Sequence, residues 1–202
     1  MILDRTIPSK TGRTALVPPS EADDEFTAVL RSHSDTKKYL RFWPDETTTA
    51  DARTRRLSRH PDPSLVDFNV YAQDPTTGLY SVFAGTTGIF AIDDNGRSCE
   101  VGILISPDLF RGGFATDALH TVLVYAFEER MLHRAQFQTS VDNPGMRGWL
   151  EKAGAVLEGT RRAAWSDIKS GGYTDVCVYS ILAEEWFERV KDNLEARMQR
   201  NG

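Results

Sequence analysis

Residues 100–118 read EVGILISPDLFRGGFATDA, and this stretch decides the fold. Its first half alternates: Val101, Ile103 and Ile105 share one face of a strand, while Glu100, Gly102 and Leu104 share the other. Pro107 closes the strand, because proline cannot donate to a ladder. The second half is a Gly-bearing loop that opens a helix from Phe114 to about Arg130, in which Ala115, Ala118, Leu119, Val122, Leu123, Ala126 and Phe127 keep i, i+3, i+4 spacing. A strand running through glycines into a helix N-terminus presents unpaired backbone N–H groups and the positive end of a helix dipole. Such a terminus can cradle phosphate or pyrophosphate. The plain alternative is a tight turn that binds nothing. The spacing is that of neither a P-loop nor a GxGxxG fingerprint.

Working outward, strand-like runs at Val66–Ala72 and Ser81–Ile92 are punctuated by the turn clusters DPTTG (74–78) and DDNG (93–96), which predicts an antiparallel meander ending in the strand above. Downstream lie a strand at Arg134–Val141, a turn at Asn143-Pro-Gly145, a short helix to Ala153 and a C-cap at Gly154. Strands at Val156–Ala164 and Tyr173–Leu182 and an amphipathic helix from Glu184 to about Arg200 complete the chain. Before the meander come a loose first dozen residues, a strand at Thr14–Val17 and a helix start at Ser20. An amphipathic segment follows at Thr36–Pro44, then a polar helix over Thr47–Arg59. The arginines of that last helix, Arg53, Arg55, Arg56 and Arg59, read as a solvated face or as recognition of an acidic acceptor. A meander followed by β-α-β predicts an α+β (mixed α/β) fold with a central mixed, mostly antiparallel sheet of about seven strands flanked by helices.

At 202 residues, with 40% hydrophobic and 26% charged residues, the chain suits one globular domain. A net charge of −5 disfavours sequence-independent nucleic-acid binding. No apolar run of about 18 residues is present, so no membrane span is expected. The start, MILDRTIPSKTGR, lacks the apolar core of a secretory signal, and Cys99 and Cys177 sit in apolar strands as free thiols, so a cytoplasmic location is expected. The four histidines fall at neither metal nor triad spacing, and no metal is expected.

The segment Gly113-Phe-Ala-Thr-Asp-Ala-Leu119 resembles the acetyl-CoA signature of the GNAT superfamily of N-acetyltransferases, Q/R-x-x-G-x-G/A. Three more matches stand in order: Glu100-Val-Gly-Ile103 before the signature, Asp142-Asn143 with Leu150-Glu-Lys-Ala-Gly154 and Glu158-Gly159, and Gly172-Tyr173-Thr-Asp175 with Tyr179-Ser180 and Glu185-Trp186. The last of these is similar to the ribosomal-protein-alanine acetyltransferase-like branch. The resemblance implies a GNAT domain over residues 12–187 and a helical extension over 188–202. This extension either mediates homodimerisation or covers the sheet. The sequence departs from the pattern at Phe110, where the signature has Gln or Arg, at Leu150, where the family often has Tyr, and at Met146, where the branch often has Ser.

The same resemblance implies direct acetyl transfer from acetyl-CoA to a primary amine, either a protein N-terminus or a small amine. The alternative is a non-catalytic acyl-CoA-binding sensor. It implies that Ile103, Leu104 and Ile105 pair with the pantetheine arm, that Arg111, Gly112, Gly113, Phe114, Ala115 and Thr116 line the pyrophosphate, and that Asn143 contacts the arm or merely forms a turn. Glu100 is the candidate base, or else a carboxylate paired with an arginine across the sheet. Tyr179 is the candidate proton donor, and Arg41, Trp43 and Tyr173 are candidates for the acceptor wall. For each aromatic residue plain packing is the competing reading.

Overall fold

The computed structural model describes residues 5–200. Eight strands form one sheet in the order β1-β2-β3-β4-β5-β6-β8-β7. They are β1 (Ile7–Pro8), β2 (Thr14–Val17), β3 (Val66–Gln73), β4 (Tyr80–Asp93), β5 (Ser98–Ile105), β6 (Arg134–Ser140), β7 (Val156–Asp167) and β8 (Gly172–Leu182). The helices are α1 (Asp24–Ser32), α2 (Ser34–Lys37), α3 (Thr49–Arg59), α4 (Phe114–Val124), α5 (Pro144–Ala153), α6 (Ala183–Glu185) and α7 (Lys191–Arg200). The expected mixed, mostly antiparallel sheet is present, with one parallel pair, β5 with β6. Among the described residues no helix is long and apolar enough to cross a membrane.

Four local expectations change. Within the supposedly loose first dozen residues, Ile7–Pro8 pairs with β2 as a further strand; residues 1–4 lie outside the described residues. The segment 36–44 yields only the end of the single-turn α2 and then turns, and Pro44 disfavours helical backbone at Trp43. The long helix after Phe114 leaves α-geometry at Tyr125 for a π-turn over Tyr125–Glu129. The strand read as Val156–Ala164 runs on to Asp167, with an irregularity between Arg161 and Trp165.

The meander depends on two glycines of β4. Gly85 has φ 153°, and a Cβ there would lie 2.0 Å from the Leu104 carbonyl oxygen. At Gly88 a Cβ would meet the Val66 carbonyl oxygen at 2.3 Å. β4 therefore approaches both neighbours too closely for any side chain at these points.

The rear face of the sheet carries the main core. Phe68, Val70, Val101 and Phe137 pack with Leu119, Val122 and Leu123 of α4, all buried. α7 packs on α4 through buried Leu194 and Met198, and Trp186 stacks on Phe127 at 5.5 Å. The front face is covered by α1 and α3, which pack on each other. α3 starts with a capping box, in which Thr48 accepts from the Asp51 N–H and Asp51 accepts from the Thr48 N–H.

Gly85→Ala is expected to cost about 2–4 kcal/mol, combining a disfavoured backbone region with separation of β4 from β5. Urea unfolding checks this: the midpoint should fall sharply, whereas Gly148→Ala, where a Cβ meets nothing within 4 Å, should leave it unchanged or raise it.

Candidate active site

β5 pairs with β6 at only three positions: Ser98 with Arg134, Cys99 with Ala135 and Glu100 with Gln136. Beyond Glu100 the two strands part. β5 continues against β4 to Ile105, and β6 continues against β8 to Ser140. Between them a fork opens, with Glu100 at its apex. The Leu104 carbonyl points toward β4 at Gly85, and Ser106 donates to Ala84, so alternation turns the backbone groups of Ile103 and Ile105 into the fork. Of the three residues expected to line the arm, Ile103 and Ile105 thus offer backbone groups. Leu104 instead lines the front cavity.

At the wide end of β5 lies the loop into α4. Arg111 (φ 65°) and Gly113 (φ 81°) are both left-handed, and Gly113 is the N-cap of α4. The Thr116 and Asp117 N–H groups turn back to the Gly113 carbonyl, whereas Phe114 and Ala115 have no intrahelical acceptor by position. A Cβ on Gly112 would collide with the Phe114 ring at 2.6 Å. This is an anion cradle by shape and by dipole. The Thr116 hydroxyl is engaged by Trp149 Nε1 at 3.1 Å, which ties α5 to the cradle.

A fixture that sequence reading missed holds the cradle in place. Asp117 is fully buried, and Arg13 of β2's leading turn grips it through Nε at 3.1 Å and Nη2 at 3.0 Å. Thr11 adds a hydroxyl at 2.7 Å, and Arg13 also reaches the Gly112 carbonyl at 3.3 Å. The partners lie over a hundred residues apart, so no local spacing signals them.

On the front face Glu100 opens into a cavity of about 390 Å³ beneath α1 and α3. Its Oε2 accepts from Gln138 Nε2 at 2.6 Å and more weakly from Gln136 Nε2 at 3.4 Å. Arg161 donates to the Gln138 amide oxygen at 3.1 Å, so the amide N–H group is aimed at Glu100. Burial raises the Glu100 pKa above the ordinary carboxylate value, and the Gln138 and Gln136 bonds moderate the rise. Among the described residues no arginine pairs directly with Glu100; two glutamines do instead. The alternation Gln136-Phe-Gln138 in β6 was the sequence signal for them. Next to Glu100, burial pushes the Cys99 thiol up to about 12, which keeps it protonated and inert at neutral pH.

The other expected site residues divide. Trp43 lines the cavity, with the Arg31 guanidinium 3.6 Å from its ring centroid. Arg41 faces away, bonded to Asp142 and 3.8 Å from Asp167, and it anchors the 38–45 loop on the β7–β8 hairpin. Tyr173 is 72% exposed and outside the cavity lining. Asn143 caps α5: its Oδ1 accepts from Met146 N–H, and its Nδ2 donates to Thr139. Tyr179 pairs across the sheet with Phe137, so it points to the rear, opposite Gln136 and Gln138. Its hydroxyl donates to Glu151 at 2.9 Å, and Arg147 lies at 3.4 Å. The structure therefore does not bring Tyr179 to Glu100. Among the described residues no group of three or more His, Cys, Asp or Glu could hold a metal ion.

Removing Arg13 leaves a buried carboxylate with Thr11 as its main partner. Arg13→Ala is expected to destabilise the fold by about 3 kcal/mol and to weaken acetyl-CoA binding, read by denaturant melts and calorimetry. Arg13→Lys should recover only part, because the two-pronged grip is lost.

A family profile described as an acetyltransferase (GNAT) domain matches residues 13–156. YdaF of Bacillus subtilis, provisionally named a ribosomal N-acetyltransferase, is 25% identical over 85% of this chain and 91% of its own length. The uncharacterized N-acetyltransferase YoaA of the same organism is 33% identical over 48% of this chain and 54% of its own length. In structure, the chain superposes on spermidine N-acetyltransferase from Vibrio cholerae in complex with CoA and spermine. That match has a TM-score of 0.77 at 22% identity, covering 87% of this chain and 99% of that one. The fork, the anion cradle and the sequence match agree: the chain belongs to the GNAT acetyltransferase family and is an acetyl-CoA-dependent N-acetyltransferase.

Proposed function

We propose that the chain acetylates a primary amine held in the front cavity, with Glu100 as the base. One observation carries the reading: the carboxylate at the fork's apex faces the cavity, and burial keeps its pKa above the ordinary carboxylate range. When bound, acetyl-CoA supplies an acetyl thioester, whose acetyl carbon bonds to the amine nitrogen as the thiol leaves. The backbone groups of Ile103 and Ile105 hold the pantetheine arm in the fork. Phe114, Ala115 and the Arg111–Gly113 turn hold the pyrophosphate at the N-terminus of α4. The cradle fits that group, since its N–H groups lack intrahelical acceptors and Gly113 supplies the left-handed cap.

Glu100 takes the proton that the attacking amine must lose, directly or through one water. Gln138, oriented by Arg161, keeps the carboxylate aimed at the cavity. The C–S bond breaks to release a thiolate, a far weaker base than the amine-derived anion it replaces, and this thiolate takes its proton from water. Tyr179 has no part in this reading, because its hydroxyl is committed to Glu151 on the rear face. A cavity of this volume suits a small amine, or the first residue or two of a protein N-terminus.

Thiol release at saturating acetyl-CoA tests the reading. Glu100→Gln should lower kcat about 10²–10⁴-fold. Its acetyl-CoA thermal shift should persist, near 2.7 kcal/mol at about a hundred times Kd. Thermal shift without release across broad amine acceptors would instead mark a sensor. In the parent enzyme kcat/KM should rise with pH through a limb set by Glu100, above the usual glutamate value of about 4.3, and that limb should vanish in the variant.

The stability effect has the opposite sense. A carboxyl whose folded pKa is raised adds stability when protonated, at pH below its unfolded value, and that contribution is lost as pH rises through the folded pKa. Glu100→Gln should therefore melt at or above the parent's temperature at neutral pH while being far slower. A lower melting temperature there would argue that Glu100 is structural.

A further inference from the structure

The charges lining the cavity do not cancel. Asp24 is taken by Arg56 in a two-pronged pair, both contacts 2.8 Å. Asp67 is taken by Arg59, with contacts of 2.6 and 2.7 Å. Asp23 accepts from the Ser20 N–H, the Ser20 hydroxyl and the Tyr71 hydroxyl. Glu100 sits at the far end on Gln138. Arg31 and Arg55 also line the cavity. Among the described residues neither makes an ion pair with a carboxylate within 4.0 Å, and Arg31 is braced instead on the face of Trp43. Burial, with the nearby Arg55 and Arg59 cations, pushes Arg31 down to about 10, and burial and Arg59 also lower Arg55.

Arg31 is half-buried and Arg55 exposed, and two guanidinium groups close enough to repel on one open cavity are costly unless an anion meets them. Arginine's planar fork suits carboxylate and phosphate oxygens. A polyamine would need the reverse, spare carboxylates. Three of the cavity's four carboxylates are already consumed, and the fourth is the base.

We propose that the acceptor is an anionic amine: a primary amine whose carboxylate or phosphate lodges on Arg31 and Arg55 while its nitrogen reaches Glu100. This rests on the transferase reading above and adds the substrate's charge. It assigns Arg31 and Arg55 as specificity-determining residues, and it sets this cavity apart from a polyamine site.

The test measures binding in the presence of saturating CoA, which cannot acetylate, so turnover is not required. Calorimetry compares twins that differ in the anionic group: L-aspartate against its diamide for the carboxylate arm, and phosphoethanolamine against ethanolamine for the phosphate arm, with spermidine as the polyamine probe. At least one anionic twin should bind ten times or more tightly than its partner without the anionic group, and more tightly than spermidine. Arg31→Gln and Arg55→Gln should each erase that preference while the Kd for CoA stays unchanged, which also shows that the variant is folded. Arg55→Lys should keep part of the preference and guards against loss of Arg31's packing.

Equal binding of the twins, tighter binding of spermidine, or no binding by any probe overturns the proposal. If the anionic twin binds as expected but acetyl-CoA yields no thiol release with it, the anion site stands and the transferase reading fails.

Discussion

The molecule is organised by the parting of β5 from β6. Two strands that are parallel for only three pairs cannot keep a common ladder once one is held to β4 and the other to β8. The constraint is one of register. β4's glycines at positions 85 and 88 pull β5 toward the meander, while seven consecutive pairs bind β6 to β8. The cost is a row of β5 backbone groups without a strand partner, which a globular interior tolerates only where a ligand or water completes it. The fork is thus both a flaw in the sheet and the reason the sheet can bind an extended chain. Everything chemical lies around it: the Glu100 carboxylate at its apex, the anion cradle at its mouth and the cavity on its front face.

Much of this was legible in the chain. The alternation of residues 100–105, the turn clusters at 74–78 and 93–96, and the apolar spacing after Phe114 are local patterns, and local patterns survive into the fold. Gly154 as a helix stop was readable for the same reason. What was not legible was long-range. The grip of Arg13 on Asp117 joins distant segments, and neither residue is unusual where it stands. Tyr179 sat in the right strand but faced the wrong side, because orientation is fixed by its pairing with Phe137, which sequence alone does not reveal. Arg41 looked like an acceptor-wall residue and proved to be an anchor for the loop that carries Trp43.

The arginines of α3 show how a sequence pattern can be correctly seen and only half understood. Four arginines in seven residues read as a solvated helix face or as recognition of an acidic acceptor. In the fold Arg53 does face solvent, paired with Glu21 at 3.1 Å. Its neighbours turn under the helix instead, where Arg56 and Arg59 secure α3 to α1 and to β3, and Arg55 is left over. Helical spacing accounts for part of this: Arg55 and Arg59, four apart, share a face turned to the cavity, whereas Arg53 and Arg56, three apart, both lie toward Asp24 and its neighbours.

The cavity's front wall comes almost wholly from the stretch between β2 and β3, whereas Glu100, the fork and the cradle come from β5, β6 and α4. The two parts meet mainly through side chains. Recognition is therefore carried on one contiguous insertion and chemistry on another, like a tool head fitted to a handle. Drift within residues 20–60 can redirect such an enzyme toward a new partner molecule without disturbing how it handles the acetyl group, so divergent relatives can share a reaction while sharing little of this segment.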